Sequence, residues 1–312
     1  MMKYWFLFIS MAFQFCAAAQ QSVRLINDWQ FLKQDLGGIW EAVRPGKEGS
    51  PELVPLWSKV SLPHCANEKD AVDPDVNYYQ GPMWYKTQLD VKNPYDGGRT
   101  LLHFEGAGQK TQVYVYTTKV GEHVGGYDEW SVDITEAVAS FRENKELVKA
   151  FKGKVPLSVR CDNSRDLEMM PSDLSDFNVY GGLYRYVNLV YQPSLYISGL
   201  FATPVVAANS KSAIVNVKVR FENPGHLATA QLSIKIKDPL GREVQKIEKQ
   251  LQQLSGDIEA GDLIVKNPRL WSTDQPVLYT LEATVTSGTG TQTTQTRIGF
   301  RSFEFVKKDR FY

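Results

Sequence analysis

Cysteine is scarce in this 312-residue chain, which has three, and no two of them are spaced as a CxxC pair. So few cysteines do not form the disulfide framework of a small secreted domain, nor do they match a zinc-binding pattern. An excess of one charge is missing too, because 35 basic and 35 acidic residues give a formal net charge of zero. Nucleic-acid-binding proteins usually have a concentrated basic excess, so we do not expect a nucleic acid as a partner.

Motifs for metal-dependent, nucleotide-dependent and serine-dependent chemistry are also absent. The sequence has no P-loop, no GxGxxG, no GxSxG and no HExxH. The four histidines are scattered along the chain and are more typical of loop or strand residues than of ligands: His64, His103, His123 and His226. The sequence therefore predicts no metal site and no cofactor.

The first 19 residues have the pattern of a signal peptide. A basic residue precedes an apolar stretch over residues 4–15, and three alanines at 17–19 fit the small-residue cleavage rule, with the cut before Gln20. The apolar stretch is too short for a comfortable membrane span, and the bulky residues before Cys16 argue against lipidation. We expect an exported protein, periplasmic or extracellular, without a membrane partner.

Two cysteines, Cys65 and Cys161, remain in the chain after this cleavage. They could form a single disulfide bond or stay as two separate thiols, and two residues alone do not decide between these states. The sequence favours separate thiols, with Cys161 buried in a strand.

The main pattern present is alternation of apolar and polar residues, which is typical of half-buried strands. In residues 195–302 it is clearest over 215–221, 232–236 and 279–285. A turn sequence, Asp-Pro-Leu-Gly, follows the second of these segments at 238–241. The region is predicted to be an immunoglobulin-like β-sandwich of about seven strands.

Residues 20–194 predict a larger and less regular jelly-roll-like β-sandwich, which makes the fold class all-β. One helix is predicted after Thr135, which could cap it, with a possible extension over 145–151 beyond Asn144. Long polar loops at 36–82 and 162–184 are of the length that is usually functional or disordered. The domain boundary is predicted near Pro193 and Ser194. The predicted strands of this region are 23–31, 84–91, 100–104, 111–116, 155–160 and 185–191.

Nine short stretches, taken in order, resemble one family. In the first region they are WSKVSLPH and YYQGPMWYK at 57–64 and 78–86, FEG, VGEHVGGY and DIT at 104–106, 120–127 and 133–135, and DFNVYGGLYR at 176–185. In the second region they are NPRLW, PVLY and IGFR at 267–271, 276–279 and 298–301. They resemble the N-terminal sugar-binding domain and the immunoglobulin-like domain of glycoside hydrolase family 2, the family of β-galactosidases, β-glucuronidases and β-mannosidases.

The sequence departs from the family pattern in three places. Thr117 and Thr118 stand where the family usually has an Asn-Gly turn, so we expect this hairpin to turn differently. Residues 141–154 look longer than usual. Residues 303–312 correspond to the family's lead-in to a (β/α)8 barrel that carries both catalytic glutamates, so the resemblance implies no catalytic residue within this chain.

The resemblance implies one main site residue, Asp176. The aspartate at this position of the family motif reaches into the active site of the barrel, where it contacts hydroxyls of the terminal sugar or a bound cation. Asn178 and Asp75 are weaker candidates for the same rim of the substrate-binding site. A structural cap is the alternative for Asp176, and Arg185 is expected to pair with a carboxylate inside the domain.

Three functions are compatible with these observations. The resemblance favours the N-terminal, non-catalytic part of an exported retaining β-glycosidase, β-galactosidase-like, which contacts carbohydrate through a barrel and is inactive alone. The alternatives are a stand-alone carbohydrate-binding protein and a scaffold module without a sugar site. The surface that would meet a barrel leads us to expect weak self-association into a homo-oligomer.

Overall fold

The computed structural model of the chain describes residues 21–44, 57–70, 72–73, 75, 77–170, 172 and 178–303. The chain divides into two compact units: an N-terminal unit, Gln20–Ser194, and a C-terminal unit that starts at Leu195. Strands dominate both units, which confirms the all-β class. Within these described ranges, no helix has the length and apolar character needed to cross a membrane.

The N-terminal unit is a sandwich of two antiparallel sheets. The strands that the structure describes in it are β1 (Gln21–Arg24), β2 (Trp29–Leu32), β3 (Ser58–Val60), β4 (Pro82–Leu89), β5 (Arg99–Phe104), β6 (Lys110–Val115), β7 (Thr118–Val124), β8 (Trp130–Asp133), β9 (Val155–Asp162) and β10 (Val187–Gln192). The four-stranded sheet has the order β1-β10-β5-β8, and the six-stranded sheet has the order β3-β2-β4-β9-β6-β7. The helices among the described residues of this unit are α1 (Ile39–Val43), α2 (Thr135–Glu143) and α3 (Lys145–Ala150).

The main core of this unit lies between the two sheets, because alternate residues of the facing strands are apolar. Leu102 and Phe104 of β5 and Val113 and Val115 of β6 belong to one buried cluster. A smaller cluster on the other face of the six-stranded sheet packs Trp84 against two residues of α1. Helix α1 therefore covers part of the outer face of that sheet.

Three predictions for the secondary structure of the N-terminal unit are wrong. The segment predicted as a loop at 36–82 contains α1 and β3. The single strand predicted at 23–31 is two strands, β1 and β2, because Asp28 takes a left-handed conformation, with φ of 64°, and interrupts the ladder. Thr135 does not cap α2 with its side chain. Instead its own backbone N–H donates to Asp133 Oδ1 at 2.9 Å, since an aspartate two residues earlier in the chain reaches that donor.

The C-terminal unit is a seven-stranded sandwich, which confirms the predicted immunoglobulin-like class. Its strands are β11 (Tyr196–Val206), β12 (Ser212–Glu222), β13 (Ala230–Lys237), β14 (Glu243–Leu251), β15 (Gly256–Lys266), β16 (Tyr279–Ser287) and β17 (Gly290–Ile298). They form sheets of order β11-β12-β15 and β14-β13-β16-β17. The alternating residues of 215–221 and 232–236 point into one buried cluster, as their pattern predicts.

Both cysteines of the N-terminal unit are free thiols, as the sequence favours. Cys161 is fully buried on β9, and this burial raises its pKa to about 12. Cys65 is half-buried in a loop, and burial raises its pKa as well. Neither environment activates a thiolate at neutral pH.

Candidate functional site

Several loops of the N-terminal unit meet around the double glycine of residues 181–182. His64 and Ala66 donate backbone hydrogen bonds to the carbonyls of Leu183 and Gly181, at 2.8 and 2.9 Å. On its other side, Gly182 forms an isolated bridge with Gly108. Because backbone groups on both sides fix this segment, residues 178–183 lie at the centre of the loop cluster.

Asn67 anchors the segment through a buried carboxamide. Its Oδ1 accepts the N–H of Gly181 at 2.8 Å, and its Nδ2 donates to the carbonyl of Val179 at 3.0 Å. Only 2% of Asn67 is exposed, so both hydrogen bonds are shielded from water. A carboxamide can do this because it carries a donor and an acceptor on one rigid plane.

Asn163 holds the same segment from the opposite side. Its Nδ2 donates to the carbonyls of Val179 and Tyr79, at 2.9 and 2.8 Å, and its Oδ1 accepts the N–H of Gly81 at 3.0 Å. The side chain is fully buried. Sequence reasoning missed both asparagines, since one asparagine in a polar loop gives no signal that distinguishes an anchor from a turn residue.

The three predicted site residues have different outcomes. Asn178 lies in the cluster, with its Oδ1 3.5 Å from Nδ2 of Asn67, while its own buried Nδ2 has no hydrogen-bond partner among the described residues. Asp75 is exposed, and its backbone N–H donates to Asp73 Oδ1 at 3.1 Å. Asp176 lies outside the described residues. The structure thus brings one of the three candidates into the cluster.

Gly182 is required by close packing and by its backbone angle. Its φ is +105°, a conformation that L side chains rarely adopt, and an added Cβ would lie 2.2 Å from the hydroxyl oxygen of Tyr85. That hydroxyl is also 2.8 Å from Nδ1 of His64. Glycine therefore lets the segment approach the half-buried His64 and the buried Tyr85.

The environment of this pair favours its neutral forms. Burial lowers the pKa of His64, although the carboxylate of Glu68 partly opposes the effect. Burial also raises the pKa of Tyr85 well above its usual value of 10.0. Both changes follow from the cost of holding a charge away from water.

A cavity of about 540 Å³ opens beside the cluster, and tyrosines form much of its wall. The rings of Tyr127 and Tyr184 lie 6.5 Å apart, centroid to centroid, and the Tyr184 hydroxyl donates to the carbonyl of Gly126. Tyr127 is 59% exposed and Tyr180 39%, so both rings face solvent. Residues of this tyrosine-lined cavity include Cys65, Glu105, Tyr127, Tyr180, Tyr184 and Arg185.

Arg185 does not make the expected ion pair with a carboxylate. The nearby Glu105 is already engaged by Arg24 at 3.0 Å and by Nδ2 of Asn188 at 3.1 Å. Arg185 is exposed, and no ion pair joins it to any acidic residue in the part of the chain that the structure describes. The prediction that Arg185 pairs with a carboxylate of the domain was therefore wrong, since the carboxylate that lines the same cavity, Glu105, has other partners.

The chemistry of these groups suits binding better than bond cleavage. Tyrosine rings can stack on the faces of sugar rings, and a guanidinium donates hydrogen bonds to hydroxyls or a carboxylate. No group of three or more histidine, cysteine, aspartate or glutamate side chains that could hold a metal ion occurs within the described ranges.

Comparisons with known proteins assign both units to one family. The model of "Glycosyl hydrolases family 2, sugar binding domain" matches residues 52–193, and that of "Glycosyl hydrolases family 2" matches residues 195–301. A crystal structure of β-glucuronidase from Parabacteroides merdae is 54% identical, with a TM-score of 0.89 over 94% of this chain and 38% of that one. The β-glucuronidase 3 of Bacteroides uniformis is 49% identical, with a TM-score of 0.86 over 94% of this chain and 36% of its own.

A β-galactosidase of Thermoanaerobacterium thermosulfurigenes is 28% identical over 92% of this chain and 38% of its own length. The chain spans about a third of the length of the curated relatives that it matches.

Proposed function

This chain belongs to glycosyl hydrolase family 2, and from that premise we propose that its two units are the N-terminal, non-catalytic part of an exported retaining β-glycosidase. The observation that carries the proposal is that both family matches are continuous, over residues 52–193 and 195–301, while the chain spans about a third of its curated relatives. In such an enzyme a catalytic barrel supplies the acid/base and the nucleophile, two carboxyl groups about 5 Å apart.

The proposed substrate class is a β-glucuronide. The two solved structures that are 54% and 49% identical are both named β-glucuronidases, whereas the β-galactosidase is 28% identical. A β-galactoside, the substrate expected from the sequence, is the second candidate, because relatives with that name also match most of the chain.

We assign to the loop cluster the role of completing the sugar subsite. Asp176 would accept hydrogen bonds from hydroxyls of the terminal sugar, with Asn178 beside it. What supports this role is the anchoring by Asn67 and Asn163, which fixes the backbone of Val179 and Gly181 a few residues beyond Asp176. Groups held in this way lose little entropy when a ligand binds.

Two gene products test the proposal: the 312-residue chain, and a product that continues through the coding sequence after Tyr312. Each is assayed with nitrophenyl β-glucuronide and nitrophenyl β-galactoside. We expect no hydrolysis by the shorter product and a preference for the glucuronide by the longer one. Turnover by the shorter product above a mock-purified control, or a longer product without a barrel, would contradict the proposal.

Export is tested separately on the longer product. Cell fractionation should recover it outside the cytoplasm, and N-terminal sequencing should begin at Gln20. A mature protein that retains residues 1–19 in the cytoplasm would contradict export while leaving the enzymatic proposal unaffected.

A further inference from the structure

A second, larger cavity lies on the outer face of the six-stranded sheet. Its volume is about 1080 Å³, and it shares no lining residue with the tyrosine-lined cavity. Part of its floor is one row across four neighbouring strands, with Lys59 opposite Gln30, Gln30 opposite Lys86, and Lys86 opposite Ser158. We call this cavity the lysine groove.

Polar and uncharged groups make up much of the rest of the groove floor. Gln88 lies two residues beyond Lys86 on β4, on the same face of the sheet, and Gln30 and Gln88 are both exposed. The hydroxyl of Ser158 is buried, whereas the exposed carboxamides of Gln30 and Gln88 can both donate to and accept from sugar hydroxyls.

The charge in the groove is mainly positive. Three lysines line it, Lys59, Lys86 and Lys154, and within the described ranges no carboxylate lies within salt-bridge distance of any of them. Arg44 also lines the groove, and its guanidinium lies 2.9 Å from Glu41. Asp28 is the acidic residue of the lining. Three ammonium groups against one carboxylate favour an anionic occupant.

One of the lysines is held in place. The Lys86 ammonium donates to the carbonyl of Ala42 at 3.1 Å and lies 4.1 Å from the centroid of the Trp57 ring. Its position is therefore set by the end of α1 and by an aromatic face. A fixed ammonium loses less side-chain entropy on binding an anion than a freely rotating one.

The dimensions of the groove indicate an occupant larger than one small anion. Neighbouring strands lie about 4.8 Å apart, so the backbones of Lys59 and Lys86, two strands apart, are separated by about 10 Å. A single carboxylate or phosphate does not span this distance, whereas a chain of sugar units with an acidic group on alternate units does. The volume is at the upper end of small-molecule sites, which are about 300–1,000 Å³.

We propose that the lysine groove binds an acidic oligosaccharide, whose carboxylate or sulfate groups pair with Lys59, Lys86 and Lys154 while its hydroxyls contact Gln30 and Gln88. This site goes beyond the proposed function, because it needs no catalytic barrel and does not include Asp176, Asn178 or Asp75. It would attach the protein to an acidic glycan away from the place of bond cleavage.

Isothermal titration calorimetry on the full 312-residue chain tests the site with four probes. They are a tetragalacturonate, a sulfated chondroitin tetrasaccharide, neutral cellotetraose and a single-stranded DNA of matched charge. Each is titrated against the wild type, against Lys59→Gln/Lys154→Gln, and against the control Lys69→Gln/Lys145→Gln. The control lysines are exposed and do not line the groove, so both double variants change the net charge equally.

We expect an acidic tetrasaccharide to bind the wild type and the control within about twofold, and the groove variant about tenfold or more weakly. Binding of the tetragalacturonate shows that carboxylates are sufficient, whereas binding of only the chondroitin probe, which carries both carboxylates and sulfates, indicates that the groove needs sulfate. Equal binding of DNA or of cellotetraose overturns the proposal, as does equal loss in both double variants. The proposal is also overturned if neither acidic probe binds at about 1 mM. Hydrolysis is not measured, so failure here leaves the proposed function untouched.

Discussion

Asn67 and Asn163 show how single side chains set the geometry of the loop cluster. Together they make five hydrogen bonds of 3.0 Å or less, and all of these bonds join them to backbone groups of neighbouring loops. An aspartate at position 163 would remove the Nδ2 donor to the carbonyl of Tyr79, whereas the carbonyl of Val179 would keep one donor after a change at either position. The site therefore depends on two residues that do not themselves face a ligand.

The first prediction concerns Gly182. We expect Gly182→Ala to lower the free energy of unfolding of the N-terminal unit by more than about 2 kcal/mol, since φ is +105° and the new Cβ would meet Tyr85. Gly97→Ala is the matched control, with φ of +60° and nothing within 4 Å, and should cost only about 1 kcal/mol. Urea denaturation measures both, and equal losses would show that the contact with Tyr85 is unimportant.

The second prediction concerns Asp176 in the longer gene product. A charged acceptor for sugar hydroxyls contributes about 1.5–3 kcal/mol, so Asp176→Asn should lower kcat/KM about ten- to a hundredfold. The melting temperature should stay unchanged. A structural cap predicts the opposite result, a lower melting temperature with an unchanged kcat/KM. We expect Asp75→Asn, the matched change at an exposed position, to have a smaller kinetic effect.

The third prediction concerns the pH dependence of stability through His64. Its pKa is lowered in the folded state, so the unfolded chain binds more protons as the pH falls below the ordinary value of 6.5. Unfolding free energy should therefore decrease between about pH 6.5 and pH 5. In His64→Gln this slope should flatten, whereas the exposed His226→Gln should keep it. A slope that survives in His64→Gln would assign it to other groups.

At the scale of residues, the sequence predicts the segment at the centre of the loop cluster, but it does not predict which side chains fix that segment through hydrogen bonds. The DFNVYGGLYR motif directs attention to residues 176–185, and Asn178 lies in the cluster. Asn67 is 111 positions from Asn178 along the chain, and Asn163 is 16 positions from Val179. The fold brings both asparagines to the same segment. Arg185 shows the same limit, because the sequence does not show that the nearby Glu105 is held by Arg24.

At the scale of elements, strands with strict alternation were the most predictable part of the molecule. Residues 215–221 lie in β12 and residues 232–236 lie in β13, and their apolar side chains are buried. A two-residue period places all of these apolar side chains on the same face of the sheet, so that face packs into the core. The prediction of a single strand at 23–31 was wrong because Asp28 takes a left-handed backbone conformation between β1 and β2. Hydropathy does not encode such a conformation. The turn of the β6–β7 hairpin likewise uses Tyr116 with φ of 52°.

The fourth prediction concerns the junction of α2 and α3. Asn144 separates the two helices and caps α3, because its Oδ1 accepts the N–H of Leu147 at 3.1 Å. Asn144→Ala should lower the unfolding free energy of the N-terminal unit by about 1 kcal/mol. Asn144→Asp keeps an acceptor at the helix start and should retain most of that stability. Chemical denaturation compares them, and equal loss in both variants would contradict the capping role.

At the scale of the whole molecule, each unit has its own hydrophobic core. The largest buried cluster of the N-terminal unit and that of the C-terminal unit share no residue. Domains of about 100 to 200 residues bury enough surface to fold alone. We therefore treat the two sandwiches as independently stable bodies.

The fifth prediction follows from these separate cores. Residues 20–194 and 195–303, expressed separately, should each give a circular-dichroism spectrum dominated by strand and a cooperative thermal transition. The 312-residue chain should reproduce the sum of the two spectra. A unit that remains unfolded on its own, while the chain containing both is folded, would contradict independent stability.

The pairing of β1 with β10 has a consequence for the order in which the protein is made. The first strand of the N-terminal unit pairs with the last, Gln21 opposite Tyr191, and β10 also covers an edge of β5. The ribosome synthesises β1 and β5 long before β10. Until β10 is made, the backbone hydrogen-bonding edges that it covers on β1 and β5 stay unpaired, and unpaired strand edges promote aggregation. Nascent chains stalled before Val187 should therefore bind holdase chaperones, and release should coincide with the emergence of Gln192.

The pairing of β1 with β10 also brings the two ends of the N-terminal sandwich together, which makes this domain a good candidate for circular permutation.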